Sequence, residues 1–396
     1  MSDRKGDPEQ ARRINRSLIL NAVRRQDRIS RAELARMLSI SKMTASTIVR
    51  ELIENEFLTE QSSLAGPGAS GGRPPVMLSL NENAKLVIGI DVGTTSTALR
   101  LSNLRGYTID SLRVPTRRNL SVASVTEQIE ELVGKLGSAS PNHHHEVIGV
   151  GVSVAGLVEK TSGYVHFSPD FNWRDVQFRR LLEDRLGLPV VVNNCTRVAA
   201  LGEWWYGAAR ERSNFFYVNV GYGIGSAIVS DGRLLERNSE FGHIHVTTQP
   251  VRCECGKTGC LEAVSSGHAI EGQANETLPR DKDEWITAEQ VAERARRGDM
   301  DASRILTEAG KYLGRGISTV ANLLSPELVI VGGGVSRAGH VLFDPLTSEF
   351  NRHTMEQIRN GVNVVPSELG MDAGVVGAVA LALDSFVFGP ERIVYS

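Results

Sequence analysis

"VRCECGKTGCLE", residues 251–262, places Cys253, Cys255 and Cys260 within eight positions of a 396-residue chain that has four cysteines in all. The rest of the composition is that of an ordinary soluble protein: 41% hydrophobic, 23% charged, formal net charge -2. The length is that of two or three domains. No run approaches the roughly 20 apolar residues of a membrane span. The opening "MSDRKGDPEQARR" lacks the apolar core of a secretory leader. A cytoplasmic protein without membrane partners is therefore expected, in a compartment where thiols stay reduced. That weakens a disulfide reading of the cluster and strengthens a metal reading.

Zinc takes four tetrahedral ligands of thiolate and imidazole type. Three thiolates stand in the loop, and upstream "SEFGHIHV" offers both His243 and His245 as the fourth. Gly256 and Gly259 would let the loop wrap the ion. Buried free thiols are the alternative, but small apolar residues fill space equally well without two cysteines one residue apart. A closed four-ligand site leaves no position for an activated water, so this is a structural clasp. The histidine run His143–His145 lies in the polar "GSASPNHHHE" and reads as a solvated segment.

Far upstream, "NRSLILNAVRRQDRISRAELARMLSISKMTASTIVRELIENEFLTE" divides into three helices by period and caps. Leu18, Ile19, Ala22 and Val23 form the first apolar stripe. Ser30 with Glu33 is a capping box opening a short helix through Leu38. After a turn at Ser39–Ile40, Ser41 opens a third helix that buries Ala45, Ile48, Val49, Leu52 and Ile53. This is helix-turn-helix geometry, and Ser41, Lys42, Met43, Thr44, Ser46, Thr47 and Arg50 would face double-stranded DNA. "FLTEQSS" and "PVMLSLN" read as the strands of a wing around "LAGPGASGGRPP", whose Arg73 could enter a minor groove. Residues 1–60 hold 12 Lys and Arg against 9 Asp and Glu, a mildly basic module on a slightly acidic protein. A helical protein-binding module is the bland alternative, and the polar third helix followed by a wing counts against it.

From Leu86 the pattern changes to "LVIGIDVGTTSTALRLSNLRGYTIDSLRVPT", a β-meander turning at Gly93–Thr94 and Arg105–Gly106. "FFYVNVGYGIGSAIVSDGRLL" repeats the idea, and "LVIVGGGVSRAG" joins an apolar strand to a helix. The repetition predicts a duplicated α/β fold of two lobes with a cleft between them. Glycine turns facing a cleft can present backbone N–H groups to phosphates.

Together, "GIDVGTT", "GYGIGSAIVSDG", "EFGH", "CECGKTGCLE" and "SPELVIVGGGVSRAG" resemble the ROK family of repressors, open reading frames and sugar kinases over residues 85–385. With the winged module in front, the chain resembles the repressor branch, which includes glucose-, N-acetylglucosamine- and xylose-responsive regulators. The resemblance implies a winged helix-turn-helix followed by a two-lobed α/β actin-like ATPase fold. It divides the chain into a DNA-binding domain at 1–80, a first lobe at 85–193 plus about 373–396, and a second lobe at 194–372 carrying the zinc loop and the dimerisation surface. It implies a homodimer or homotetramer, and zinc held as His-x9-Cys-x-Cys-x4-Cys by His243, Cys253, Cys255 and Cys260. It also implies that Asn194, Glu240, His243 and Glu262 meet a sugar, with Asp170 where the family usually has Asn.

The kinase motif of the family reads like "NDANAAALGE", where this chain has "NCTRVAALGE" at 194–203. Cys195 thus falls on the aspartate that draws the proton from the sugar hydroxyl in phosphoryl transfer. A thiol with a reference pKa of roughly 8.5 is mostly protonated near neutrality and accepts hydrogen bonds poorly. Tyr222 replaces Thr in the second phosphate turn, and "DVGTT" replaces "DIGGT" in the first. Asp91, the Mg²⁺-side carboxylate, is retained. The expectation is a sugar-responsive, kinase-inactive DNA-binding repressor with structural Zn²⁺. An active sugar kinase with an appended DNA-binding domain, or a repressor controlled by a protein partner, are the alternatives.

Overall fold

The computed structural model describes residues 8–62, 76–136, 146–236, 239–280 and 285–389. The chain forms two compact units, Met1–Asn194 with Ala378–Ser396, and Cys195–Gly377.

The first unit begins with the winged module. Helix α1 (Pro8–Gln26) buries Ile19, Leu20, Ala22 and Val23. Leu18, expected on this stripe, is 42% exposed; each helical step turns the side chain by about 100°, and Leu18 stands just off the inward face. Strand β1 (Ile29–Ser30) leads into α2 (Arg31–Met37) through the anticipated capping box: Ser30 N donates to the Glu33 carboxylate at 2.8 Å, and Glu33 N donates to Ser30 Oγ at 3.3 Å. Ser39, at φ 54°, makes the tight turn. Helix α3 (Lys42–Glu54) starts at Ser41, whose Oγ accepts Thr44 N at 3.0 Å, and buries Ala45, Ile48, Val49 and Leu52. Ile53 is only half-buried. Strands β2 (Leu58–Ser62) and β3 (Val76–Leu80) pair antiparallel as the wing, and β1 joins the far side of β3. Arg73 and the His143–His145 run lie outside the described residues.

The rest of this unit is a five-stranded sheet. Strands β4 (Lys85–Val92), β5 (Ser96–Asn103) and β6 (Thr108–Pro115) form the expected meander. After α4 (Val122–Lys135), β7 (Glu146–Val154) runs parallel to β4. A small antiparallel sheet of β8 (Leu157–Val158), β9 (Val165–Ser168) and β10 (Trp173–Val176) follows. Then come α5 (Phe178–Leu186) and β11 (Val190–Asn194), parallel to β7, giving the order β11-β7-β4-β5-β6. The apolar β4, β7 and β11 contribute Ile88, Ile90, Val150, Val152, Val190 and Val192 to one core. Such continuous runs belong to strands covered on both faces.

The second unit repeats this winding. After α6 (Cys195–Tyr206), strands β12 (Phe215–Val220), β13 (Ile224–Ser230) and β14 (Arg233–Leu234) form a second meander. Four helices follow, α7 (Leu261–Ser265), α8 (Gly267–Thr277), α9 (Ala288–Arg296) and the long α10 (Met300–Leu324). Strand β15 (Leu328–Gly332) is parallel to β12. After α11 (His340–His353) and α12 (Glu356–Arg359), β16 (Asn363–Pro366) is parallel to β15. The order β14-β13-β12-β15-β16 reproduces that of the first sheet, so the duplication expected from the glycine turns is present. Helix α13 (Ala373–Leu383) ends in a π turn, Asp384–Phe388, that belongs to the first unit.

Among the described residues one helix, Gly370–Phe388, is long and apolar enough to cross a membrane; 67% of it is buried inside the protein, as core helices are. Its end meets the DNA module: Ser17 Oγ donates to the Phe388 carbonyl, Asn21 Nδ2 donates to the same oxygen at 2.9 Å, and the Arg24 guanidinium lies 4.9 Å from the Phe388 ring. Arg105, in the β5–β6 turn, holds Asp27, inside the module, and Glu82, just after it, at 2.6 Å each.

Close packing around the sheet predicts a contrast between two glycines. A Cβ on Gly151 of β7 would lie 2.1 Å from the Ala378 carbonyl, whereas one on Gly272 of α8 would meet nothing within 4 Å. Gly151→Ala is expected to destabilise the protein by about 1–3 kcal/mol. Gly272→Ala is expected to stabilise it by about 0.5–1 kcal/mol, since helical glycine carries excess backbone entropy. Chemical denaturation of both variants measures the two signs.

Candidate functional site

The cysteine loop is shaped by two left-handed glycines, Gly256 at φ 87° and Gly259 at φ 75°. A side chain at Gly259 would also strike the Thr247 carbonyl, 2.3 Å from where its Cβ would sit. Cys253 N donates to the Lys257 carbonyl at 2.8 Å and Gly259 N to the Val251 carbonyl at 2.9 Å, closing the hairpin on itself. The loop thereby brings Cys253, Cys255 and Cys260 to His243, which ends a short 3-10 turn, Phe241–His243. The four ligand atoms all lie within 4.8 Å of one another.

Two edges of this cluster are sharper: Cys253 Sγ to His243 Nδ1 is 3.6 Å, and Cys255 Sγ to Cys260 Sγ is 3.7 Å. A tetrahedral ion with metal–sulfur bonds of about 2.3 Å and metal–nitrogen bonds of about 2.1 Å needs edges of about 3.6–3.8 Å. The donor set, three soft sulfurs and one imidazole, suits the same class of ion. His245 does not join them. Its backbone pairs with Cys260, and its ring lies against Gly259 instead.

The thiols differ in electrostatics. Burial pushes the Cys253 thiol up to about 12 and also raises Cys260. Cys255, at the exposed tip, is lowered, chiefly by the Lys257 backbone N–H. Ligation needs thiolates, so a metal must displace the protons of Cys253 and Cys260, and acid works against binding.

Glu262, in the first turn of α7, ties the cluster to the second glycine turn. Its Oε1 stands 3.9 Å from His243 Nδ1 and 4.0 Å from Cys253 Sγ. Its Oε2 accepts Ile224 N at 2.8 Å. Gly223 makes that possible, because a Cβ there would be 2.6 Å from Oε2. Gly221 N donates to the Gly223 carbonyl at 3.0 Å, while Gly267 N and His268 N of α8 donate to the carbonyls of Gly221 and Tyr222 at 2.8 and 3.0 Å. The turn's amides at 221 and 224 are thus engaged within the protein.

The remaining expected sugar contacts fall in both units. Glu240, exposed, precedes the 3-10 turn of His243 in the second unit. Asn194 closes β11 in the first, where its Nδ2 donates to the Gly156 carbonyl at 2.8 Å, and Asp170 is exposed in the β9–β10 turn. Asp91 accepts the Ser153 hydroxyl at 2.6 Å, so neighbouring strands use it structurally. Cys195 is half-buried at the start of α6. A group absent from the sequence reading is the ring pair Tyr222–His268, with centroids 4.9 Å apart. His268 Nε2 is 3.7 Å from the Glu254 carboxylate in the cysteine loop.

On the DNA-reading module, Ser41, Lys42, Met43, Thr47 and Arg50 are exposed, Met43 at 78%, and Thr44 and Ser46 are half-buried. The first turns of α3 thus present a polar, basic face to solvent, as the recognition helix of this motif must.

A winged helix-turn-helix reader joined to a duplicated α/β body with a thiolate–imidazole cluster defines a DNA-binding regulator on a sugar-kinase frame. Comparison with known proteins agrees. The ROK family pattern matches residues 87–385, and a winged helix-turn-helix DNA-binding pattern matches residues 12–59. The chain is 31% identical to a putative xylose repressor of Caldicellulosiruptor sp. (strain Rt8B.4), covering 96% of this chain and 98% of that protein. It is similar to a solved ROK family transcriptional regulator, a homologue of the E. coli MLC protein, with a TM-score of 0.83 and 26% identity over 94% of this chain and 96% of that one. It is also similar to a ROK family glucokinase from Streptomyces griseus, solved with glucose and AMPPNP, with a TM-score of 0.64 and 32% identity over 75% of this chain and 99% of that one. The chain belongs to the ROK family.

Elemental analysis is expected to find one divalent metal ion per chain in the native protein and in His245→Ala, and to find it lost from His243→Ala. Calorimetry of metal binding at pH 7 in buffers of differing ionisation enthalpy should show proton release on binding, with affinity falling as pH drops.

Proposed function

We propose that this protein is a sugar-responsive transcriptional repressor whose ROK body has kept a sugar site and lost phosphoryl transfer. The observation that carries the reading is the junction, in one chain, of an exposed recognition helix with a sugar-kinase frame; the resemblance that puts Cys195 at the place of the kinases' proton-accepting aspartate supports it. Repressor relatives aligned over nearly the whole chain support it, and their name makes xylose a natural first ligand to try.

The metal in this reading is zinc, held by His243, Cys253, Cys255 and Cys260. Bound there, it would supply a rigid cross-link rather than an activated water. With Nδ1 of His243 directed into the cluster, Nε2 keeps its proton and can donate to a sugar hydroxyl. Glu262 and Glu240 would accept from neighbouring hydroxyls. Hydroxyl patterns are discriminated only by polar groups held in place, which is the service the clasp performs.

The protein would act as a homodimer or a homotetramer. Two recognition helices then meet a pseudo-palindromic operator with half-sites one or more turns apart. The sugar acts through its differential affinity for the operator-bound and released states.

A second reading, an active sugar kinase with a DNA-binding domain, draws on the 32% identity to the glucokinase. Cys195, Tyr222 and the engagement of the Gly221 and Ile224 amides weigh against it. A repressor controlled by a protein partner is a third, and sugar binding separates it from the first.

Thermal melting against a panel of pentoses and hexoses is expected to show a stabilising shift for one of them, abolished in Glu262→Gln. The same sugar incubated with ATP should yield no ADP above background; brisk turnover by the native protein would overturn the repressor reading in favour of the kinase. In operator gel shifts, Lys42→Ala and Arg50→Ala should each weaken binding and, where the contact is to phosphate, lower the salt slope by about 1.

A further inference from the structure

The Tyr222–His268 pair has no part in the metal cluster or in the hydroxyl contacts assigned to Glu240, His243 and Glu262. Tyr222 is nonetheless 57% exposed, an unusual position for a large ring in the middle of a body domain. It sits on the β12–β13 turn, whose backbone is fixed from both sides. The amides of Gly267 and His268 hold its carbonyls, and the Glu262 carboxylate holds the Ile224 amide. The ring leans on His268 at a tilt of 41°, and His268 is steadied by Glu254 at 3.7 Å. Glu254 lies between the ligands Cys253 and Cys255. Two aromatic faces are thus anchored to the same clasp that places Glu262. Tyr222 adjoins Gly223, against which the Glu262 carboxylate rests, and the His268 amide donates to the Tyr222 carbonyl at 3.0 Å.

A rigid aromatic surface beside hydrogen-bonding carboxylates has a well-defined chemical complement. Pyranose rings present a face of C–H groups that packs on the electron-rich face of tyrosine, while their rim hydroxyls need acceptors. Tyrosine provides that contact area with little loss of side-chain entropy. Phosphate cannot stack on an aromatic face, and the amides of Gly221 and Ile224 are already engaged.

We propose that Tyr222 and His268 form an aromatic subsite for a second sugar ring next to the Glu240–His243–Glu262 contacts, so that the effector is a disaccharide rather than a monosaccharide. The proposal rests on the sugar-effector reading above and narrows it.

Calorimetry on the full-length, metal-loaded protein tests it with matched probes: xylose and xylobiose, glucose and cellobiose, N-acetylglucosamine and its β-1,4-linked dimer. In the pair that binds, the disaccharide is expected to bind at least tenfold more tightly than its monosaccharide. That ratio should fall to within about twofold of unity in Tyr222→Ala and persist in Tyr222→Phe, which keeps the ring and so reports on stacking rather than folding. A disaccharide no tighter than its monosaccharide, or a ratio that survives Tyr222→Ala, overturns the aromatic subsite while leaving the sugar-effector reading intact. Failure of every probe to bind overturns both.

Discussion

The Glu262 carboxylate is the interaction through which the second unit's chemistry is organised. One oxygen accepts the Ile224 amide and the other stands beside His243 and Cys253. One side chain thus touches three segments, the cysteine loop, the 3-10 turn of His243 and the β12–β13 turn. A Cβ at 223 would stand 2.6 Å from Oε2 and would push the carboxylate out of this position. The segments that carry it are also fastened to the apolar core, through the buried Ile224, Phe241 and Leu261.

The same economy appears in the DNA module. Its core is small, and α3 must leave its first turns exposed to reach DNA, so it cannot bury them for stability. Capping at Ser30 and Ser41 satisfies the helix ends locally, with no apolar burial needed. Ion pairs from Arg12 to Glu51 and from Arg31 to Glu60 link helix to helix and helix to wing at positions away from that face. Exposed pairs of this kind contribute little individually.

Much of this was legible in the residues. Caps and period located α2 and α3 because local hydrogen bonding decides where such helices begin. The repeated glycine-turn meanders announced a duplicated sheet because strand alternation and turn chemistry are both local. The spacing of Cys253, Cys255 and Cys260 announced a cluster able to hold a metal ion, because few other purposes call for it. His243 and His245 could not be separated by spacing, since both are within reach. The structure separates them by backbone pairing: His245 is committed to a bridge with Cys260, which turns its ring onto Gly259. Strand β1 left no sign because two residues carry no period. The Tyr222–His268–Glu254 chain left none because its members come from three segments that only the fold brings together.

The contact between α1 and Phe388 spans 371 positions of sequence. A ribosome delivers α1 first and Phe388 only after both sheets have been synthesised. During most of its synthesis the reading head therefore has its own core but not its final seat, and a nascent chain truncated before the π turn would carry a head lacking the Ser17, Asn21 and Arg24 contacts. Translation itself thus sets the order in which this regulator becomes whole: the part that touches the genome is made early and is fastened last.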